Sequence, residues 1–278
     1  MKSVKKHLTK IVVLIALWCF LTIPFLVTAQ GNLMIFPKRI IFDGGQRFQS
    51  LSLSNNGNDT ARYVISMVQI RMKEDGSFET ITEPDSAQNF ADRNIRFFPR
   101  TVTLGPNEAQ LVKIQLIRSK ELAPGEYRSH IYLRAEKEKE PLGTKDAAKA
   151  TNIAINIKPI FGFSIPLIIK IGESTTKITM ANPVVQMSEN GPSLKFKMNR
   201  TGNMSVYGDI TVNHIALSGK ITKVGKIQGL AIYAPTPVRY FQIPLDKTIQ
   251  YNSGKLQVIY AAQPPASSIL AETDLLLQ

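Results

Sequence analysis

Short apolar runs separated by turn residues recur from Leu33 to the end of the chain, and they set the class of fold. Leu51 and Leu53 alternate with serines ahead of an Asn-Asn-Gly turn at residues 55–57, and an Asn-Ser-Gly turn follows at 252–254. Short strands at this spacing, with no long amphipathic helix between them, are typical of antiparallel sandwiches. The sequence therefore predicts an all-β fold.

The same pattern locates most of the individual strands. In the first half, we predict strands over residues 62–72, 110–117 and 127–135, among others. In the second half, we predict strands over residues 177–187, 193–198, 205–215, 229–234, 238–245, 255–261 and 270–277. The two halves share this β pattern without an obvious sequence repeat.

The first 29 residues have the composition of a secretory signal peptide. Four lysines are followed by an apolar run over residues 11–27, which ends just before Ala29. An uncleaved anchor helix is the alternative, since the run is close to the shortest length that spans a bilayer. Pro24 and the small residue Ala29 favour cleavage, so we expect an exported protein.

Cysteine content and charge narrow the function further. The only cysteine, Cys19, lies in the leader, so the exported chain must be stabilised by core burial rather than by disulfides. Without the four leader lysines, Lys+Arg falls from 34 to 30 against 21 Asp+Glu, which leaves a net charge of about +9. An exported basic protein is expected to meet acidic proteins or an envelope surface, and not nucleic acid.

A charged segment separates the predicted strands of the first half. Residues 136–150 carry many charges and no aromatic residue, which is typical of a solvated loop. Directly after it, Ile153, Ile155 and Ile157 alternate with polar or small residues and predict a strand. A strand that follows a long loop is a candidate sheet edge, and an open edge can pair with another chain.

The domain boundary is predicted where the composition changes. Beyond Lys158-Pro159, the sequence becomes almost continuously apolar over residues 160–171. We therefore divide the exported chain into a first domain over 30–159 and a second over 160–278, each large enough to bury its own core.

The sequence contains little from which an active site could be built. After the leader only His130 and His214 remain, and each lies within a predicted strand, where a structural or surface role is expected. No His-Glu-x-x-His, Cys-x-x-Cys or Gly-x-Ser-x-Gly motif occurs, and the acidic residues are scattered or lie in turns. We predict a protein that is not an enzyme, with no catalytic residues, metal site, cofactor or small-molecule substrate.

Four stretches of the first half carry a family resemblance. They are KRIIFDGGQRFQSLSLSNNG (38–57), RFFPRTVTLGPNEAQLVKIQL (96–116), LAPGEYRSHIYLRAE (122–136) and NIAINIKP (152–159). Behind a signal peptide, they resemble the periplasmic pilus-assembly chaperones of the PapD-like type, as a divergent member. The resemblance covers most of residues 33–159 and is weak beyond them.

The resemblance implies two immunoglobulin-like sandwiches in a boomerang arrangement, with a binding cleft between them. Members of this family capture a pilus or fimbrial subunit whose own sandwich lacks a strand. They lend it the last strand of the first domain and deliver it to an outer-membrane usher. The chain is thus expected to be a periplasmic chaperone that works by donor-strand complementation, and self-association of its free form is left open.

Individual residues follow from the same resemblance. Arg39 matches the cleft arginine that binds the subunit's C-terminal carboxylate, since it directly precedes the apolar residues 40–42 and a turn. The three alternating isoleucines match the donor-strand positions. Lys158 is the cation nearest to the position of the family's cleft lysine, and it is either a second carboxylate anchor or an ordinary linker lysine. Glu126 and Arg128 keep part of the family's acidic and arginine pattern.

A second binding class fits the same sequence. An exported two-domain immunoglobulin-like protein could serve a structural or adhesive role and never release its partner. The two classes differ in one observable, because a chaperone is recovered in a soluble one-to-one complex with a subunit that aggregates without it.

Overall fold

The computed structural model describes residues 33–43, 45–136 and 162–277. Within these ranges the chain forms seventeen strands and two single-turn 3-10 helices, at Asp92–Asn94 and Ser119–Glu121. None of the helices in the described ranges has the length and hydropathy that crossing a bilayer requires. The predicted all-β class is confirmed.

The first ten strands form one sandwich, the first sandwich. They are β1 (Leu33–Phe36), β2 (Ile40–Asp43), β3 (Phe48–Asn55), β4 (Ala61–Met72), β5 (Phe78–Ile81), β6 (Ile95–Phe98), β7 (Thr101–Leu104), β8 (Ala109–Leu116), β9 (Gly125–Glu136) and β10 (Gly162–Ile171). One sheet has the order β1-β3-β8-β6, and the other has the order β2-β10-β9-β4-β5, with β7 paired to β4.

The last seven strands form the second sandwich. They are β11 (Lys177–Ser188), β12 (Gly191–Thr201), β13 (Val206–Ile215), β14 (Ile221–Ile232), β15 (Val238–Pro244), β16 (Lys255–Ala262) and β17 (Ile269–Leu276). Their two sheets have the orders β11-β12-β15 and β14-β13-β16-β17.

Alternating burial explains why the strands form where they do. In β3, Leu51 and Leu53 are fully buried in the first core, while the serines between them face outward. In β12, Leu194 and Phe196 enter the second core in the same way. A strand whose apolar residues share one face can bury that face against an opposing sheet and keep the other face in water.

The predicted domain boundary between residues 159 and 160 is corrected by β10. This strand pairs antiparallel with β9 along its whole length and parallel with β2 from Leu167 onward. Leu167 and Ile169 lie in the first core, while Ile168 packs against the second sandwich. Burial on both faces produces a continuous apolar run, and this run is the reason why a new domain is predicted to begin there. The first sandwich extends to Ile171.

Two strands of the second sandwich extend well beyond their predicted ranges: β12 spans Gly191–Thr201 rather than 193–198, and β14 differs most. The prediction began at residue 229, whereas β14 begins at Ile221. Its register against β13 shifts twice, and Gly225 and Gly229 interrupt its apolar pattern. The irregular register breaks the alternation from which strands are recognised.

Candidate functional site

The two sandwiches meet through a buried polar contact that we call the interdomain joint, made by Glu126, Arg128, Ser205 and Ala234. Glu126, at the start of β9, accepts a hydrogen bond from the Ser205 backbone N–H at 2.7 Å and another from the Ser205 hydroxyl. The same hydroxyl oxygen accepts from the Ala234 N–H at 2.9 Å. A buried carboxylate of the first sandwich is thus held by backbone and side-chain donors of the second.

Arg128 completes the interdomain joint from the same face of β9. Its two terminal nitrogens donate to the carbonyl oxygens of Ile70, at 3.2 Å, and Ala234, at 3.0 Å. Its Nε lies 3.8 Å from a Glu126 carboxylate oxygen. Burial lowers the pKa of Arg128, and the Glu126 charge opposes that shift. Because both terminal nitrogens are engaged within the protein, we assign Arg128 a structural role.

Two further hydrogen bonds cross between the sandwiches beside the interdomain joint. The Thr236 hydroxyl donates to the Met72 carbonyl at 2.8 Å, and the Tyr240 N–H donates to the Glu74 carbonyl at 2.7 Å. Met72, the last residue of β4, is therefore fixed against the second sandwich, together with the turn that follows it.

Next to the interdomain joint lies a pocket of about 280 Å³, to which both sandwiches contribute. From the first sandwich it is lined by Lys38, Arg39, Met72, Gly76, Phe78 and Pro166. From the second it is lined by Tyr207, Gly229, Leu230, Ala231, Tyr233 and Arg239. The lining thus combines three cations with aromatic rings, and it includes no acidic residue.

Arg39 is held at this pocket by its position just before β2. Ile40 is buried in the first core, so Arg39 faces the opposite side, toward the second sandwich. One terminal nitrogen donates to the Tyr233 hydroxyl at 3.1 Å, and the guanidinium carbon lies 3.8 Å from the centroid of the Tyr207 ring. Among the residues described, no carboxylate lies within ion-pair distance of Arg39.

An aromatic cluster made by Phe78, His130 and Tyr233 lies at the pocket. The buried ring of His130 packs edge-on against Tyr233, with centroids 6.0 Å apart, and Phe78 lies 6.2 Å from Tyr233. Burial, with the nearby charges of Arg128 and Arg39, lowers the pKa of His130 to about 3. His130 is therefore neutral at physiological pH and adds no positive charge to the site.

The predicted site residues separate into one that the structure places and four that it does not describe. Arg39 lies in the pocket between the sandwiches. Lys158 and the donor positions Ile153, Ile155 and Ile157 lie outside the described residues. Leu167 of β10 is paired with Ile40 of β2. The residue of β10 that lies beside Arg39 at the pocket is therefore Pro166.

Sequence reasoning missed Arg239, the second arginine of the pocket. Arg239 lies on β15, two residues before the buried Phe241, and so on the core-facing side of that strand. The available signal was a cation at a position where the alternation calls for an apolar residue.

Several solved structures of fimbrial chaperones are similar to this chain. The class 5 fimbriae chaperone CfaA is 13% identical with a TM-score of 0.45, and the match covers 89% of this chain and 99% of that chain. The structure of Salmonella enterica SafA pilin in complex with the SafB chaperone is 14% identical with a TM-score of 0.42, and the match covers 90% of this chain and 99% of that chain. The Acinetobacter baumannii CsuC–CsuE chaperone–tip adhesion subunit complex is 13% identical with a TM-score of 0.40, and the match covers 76% of this chain and 89% of that chain. No family model and no curated protein matches the chain.

Proposed function

We propose that this protein is a periplasmic, non-enzymatic chaperone that stabilises secreted pilus, fimbrial or related surface subunits. It binds a subunit through an added strand and holds the subunit's C-terminal carboxylate at Arg39. The observation that carries this proposal is the position of Arg39, half-buried between two sandwiches with no acidic partner in the described part of the chain.

The chemistry of Arg39 suits a carboxylate. A guanidinium holds a carboxylate by two parallel charge-assisted hydrogen bonds, which fix orientation as well as affinity. Arg39 uses one hydrogen bond within the described residues, to Tyr233, and the Tyr207 ring lies against its guanidinium group. Its remaining N–H donors are available to a ligand in the pocket.

The edge of β10 supports strand addition next to this anchor. Residues 162–166 pair with β9 on one side, whereas β2 begins to pair with β10 only at Leu167. The other edge of residues 162–166 therefore has no strand partner among the residues described. Such an edge presents backbone N–H and C=O groups to an incoming strand.

The position of Arg39 supports one direction for that incoming strand. Arg39 lies beside Pro166, at the end of the open edge where β2 begins. A subunit strand that lies along residues 162–166 and ends at Arg39 runs in the same direction as β2. It is therefore parallel to β10. We propose that Ile153, Ile155 and Ile157 extend this donor segment, and burial of each would contribute roughly 1.5–3 kcal/mol before ordering costs.

Co-expression in a bacterial periplasm tests the proposal. A fimbrial subunit that aggregates when expressed alone is produced with the affinity-tagged protein, and we expect a soluble one-to-one complex. Arg39→Ala should keep the circular dichroism spectrum and melting temperature of the wild type and lose capture. Arg96→Ala is the matched control, because Arg96 is an exposed arginine on β6 that does not line the pocket, and it should retain capture.

Two results would count against the proposal. If the subunit aggregates equally with and without the protein, the structural or adhesive alternative becomes the better reading. If Arg39→Ala unfolds the protein, Arg39 is a structural residue rather than a ligand anchor. In the proposed pathway, the protein then delivers the captured subunit to an outer-membrane usher. Self-association of the free protein would be measured as a molecular mass that rises with protein concentration.

A further inference from the structure

Arg239 enters the carboxylate pocket from the second sandwich. It lies on the core-facing side of β15, where its guanidinium group crosses the end of the sandwich to donate from Nη1 to the Ala231 carbonyl of β14. The guanidinium carbon lies 4.8 Å from the centroid of the Phe241 ring. These contacts hold the group at the end of the second sandwich that faces Arg39.

The first sandwich also positions Arg239. Gly76 lies in the turn after β4, where its φ of +84° suits glycine. A Cβ atom built on Gly76 would lie 2.3 Å from Nη2 and 2.7 Å from the guanidinium carbon of Arg239, so the guanidinium group rests directly on the glycine backbone. The turn itself is tied to β15 by the hydrogen bond from Tyr240 to Glu74.

Most of the donors of Arg239 are unused within the described chain. Nη1 makes its one hydrogen bond there, and the buried Nε has no partner. No carboxylate lies within ion-pair distance of Arg239 in the ranges described, and burial lowers its pKa while the more distant Asp75 opposes that shift. A half-buried cation with unpaired donors is costly unless something else satisfies it.

Two such arginines share one pocket. Arg39 and Arg239 both line it, and neither has an acidic partner among the residues that the structure describes. The neighbouring strand contributes Pro166 and no cation at this point. A carboxylate bound in this pocket would give both arginines an acidic partner and would accept hydrogen bonds from their free terminal N–H groups.

We infer that Arg239 is the second binding residue for the subunit's C-terminal carboxylate, so that the anchor is a pair of arginines contributed by the two sandwiches. This inference rests on the proposed function. It gives a residue of the second sandwich the role of second carboxylate anchor, for which Lys158 is the candidate predicted from the sequence. It also requires both sandwiches for full affinity, because neither alone carries the pair.

Peptide binding tests the inference. The probes are two fluorescent peptides with the C-terminal sequence of the subunit captured in the co-expression assay, one ending in a free carboxylate and one amidated. We expect the wild type to prefer the free carboxylate by about ten- to a hundred-fold. Arg39→Ala and Arg239→Met should each lose most of this preference, and Arg239→Lys should recover part of it because lysine keeps the charge without the planar fork.

Two further variants separate binding from folding. Gly76→Ala should weaken the preference while leaving Arg239 in the chain, because the added Cβ would occupy the position of the guanidinium group. Arg96→Ala removes an exposed arginine on the outer face of β6 and should bind as the wild type does. The melting temperature of each variant is measured in parallel.

The outcomes distinguish the inference from the proposed function. If the wild type captures no subunit, the proposed function fails. If Arg39→Ala loses the carboxylate preference while the Arg239 variants keep it, the inference is overturned and the proposed function stands. Equal weakening of both peptides by Arg239→Met would make Arg239 a structural residue and would likewise overturn the inference.

Discussion

Replacing Glu126 with alanine should destabilise the protein by about 3–5 kcal/mol, which is typical of breaking a buried ion pair from one side. The substitution removes the acceptor for the Ser205 N–H, which it meets at 2.7 Å, and for the Ser205 hydroxyl. It also removes the one carboxylate within 4 Å of the buried Arg128 in the described chain. An uncompensated guanidinium group and an unpaired N–H would both stay buried.

A second substitution at the same position divides this cost. Glu126→Gln removes the charge but keeps one carbonyl oxygen that can accept from the Ser205 N–H, while its NH2 group replaces the second acceptor oxygen, so we expect a smaller loss of about 1–3 kcal/mol. The free energy of unfolding is measured by urea denaturation followed by circular dichroism. Glu136→Gln is the control, since Glu136 pairs with Arg62 at 2.8 Å where their side chains are 34% and 52% exposed. Such a pair contributes about 0–1 kcal/mol.

The result that refutes this reasoning is specific. If Glu126→Ala costs no more than the Glu136→Gln control, the interdomain joint contributes no more than an exposed ion pair, and the two sandwiches are not fixed by it. A large loss in Glu126→Ala with none in Glu126→Gln would show that the hydrogen bonds, rather than the charge, hold the joint.

Three other predictions follow from buried or half-buried side chains. His130, whose pKa of about 3 lies below the ordinary 6.5, should stabilise the protein fully above pH 6.5 and progressively less as pH falls toward 3. Between pH 7 and pH 5 the free energy of unfolding should fall by about 2 kcal/mol because of His130. Urea denaturation at both pH values should show that His130→Gln lacks this part of the decrease. Tyr207→Leu removes the ring 3.8 Å from the Arg39 guanidinium carbon and should weaken binding of the carboxylate peptide by about 0.5–2 kcal/mol, with the amidated peptide unaffected. Leu53→Ala empties a fully buried position in the first core and should cost about 2–5 kcal/mol in urea denaturation.

Most of the strand ranges predicted from the sequence agree with the structure to within two residues, because alternation reports burial on a single face. The predictions at 62–72 and 127–135 match β4 (Ala61–Met72) and β9 (Gly125–Glu136) in this way. Alternation cannot report a strand that is buried on both faces. For that reason β10 was predicted as the opening of a second domain, although Ile168 alone of its core residues contacts the second sandwich through the small cluster there.

The site was predictable only where its residues come from the first half. Arg39 was identified because it lies in a stretch with a family resemblance. The partners that give it a pocket, Tyr207, Tyr233 and Arg239, lie 168 or more residues later along the chain, and their approach depends on how the two sandwiches meet. A single sequence carries no signal for that contact, so the one unusual feature of Arg239, a cation on the core-facing side of a strand, does not by itself indicate a pocket.

The interdomain joint lies beside the pocket, so we expect it to matter for the proposed carboxylate binding as well as for stability. Two arginines from separate sandwiches can share one carboxylate only if their separation is set before the ligand arrives, because ordering them during binding would consume affinity. The hydrogen bonds between Glu126 and Ser205 and between Arg128 and Ala234 fix the second sandwich against the first. The contact of Gly76 with the Arg239 guanidinium group then fixes the position of that group. A buried polar contact is often no more stabilising than an apolar one. Here its directional hydrogen bonds specify one orientation of the sandwiches, and the proposed binding of one carboxylate by an arginine from each sandwich requires such a fixed orientation.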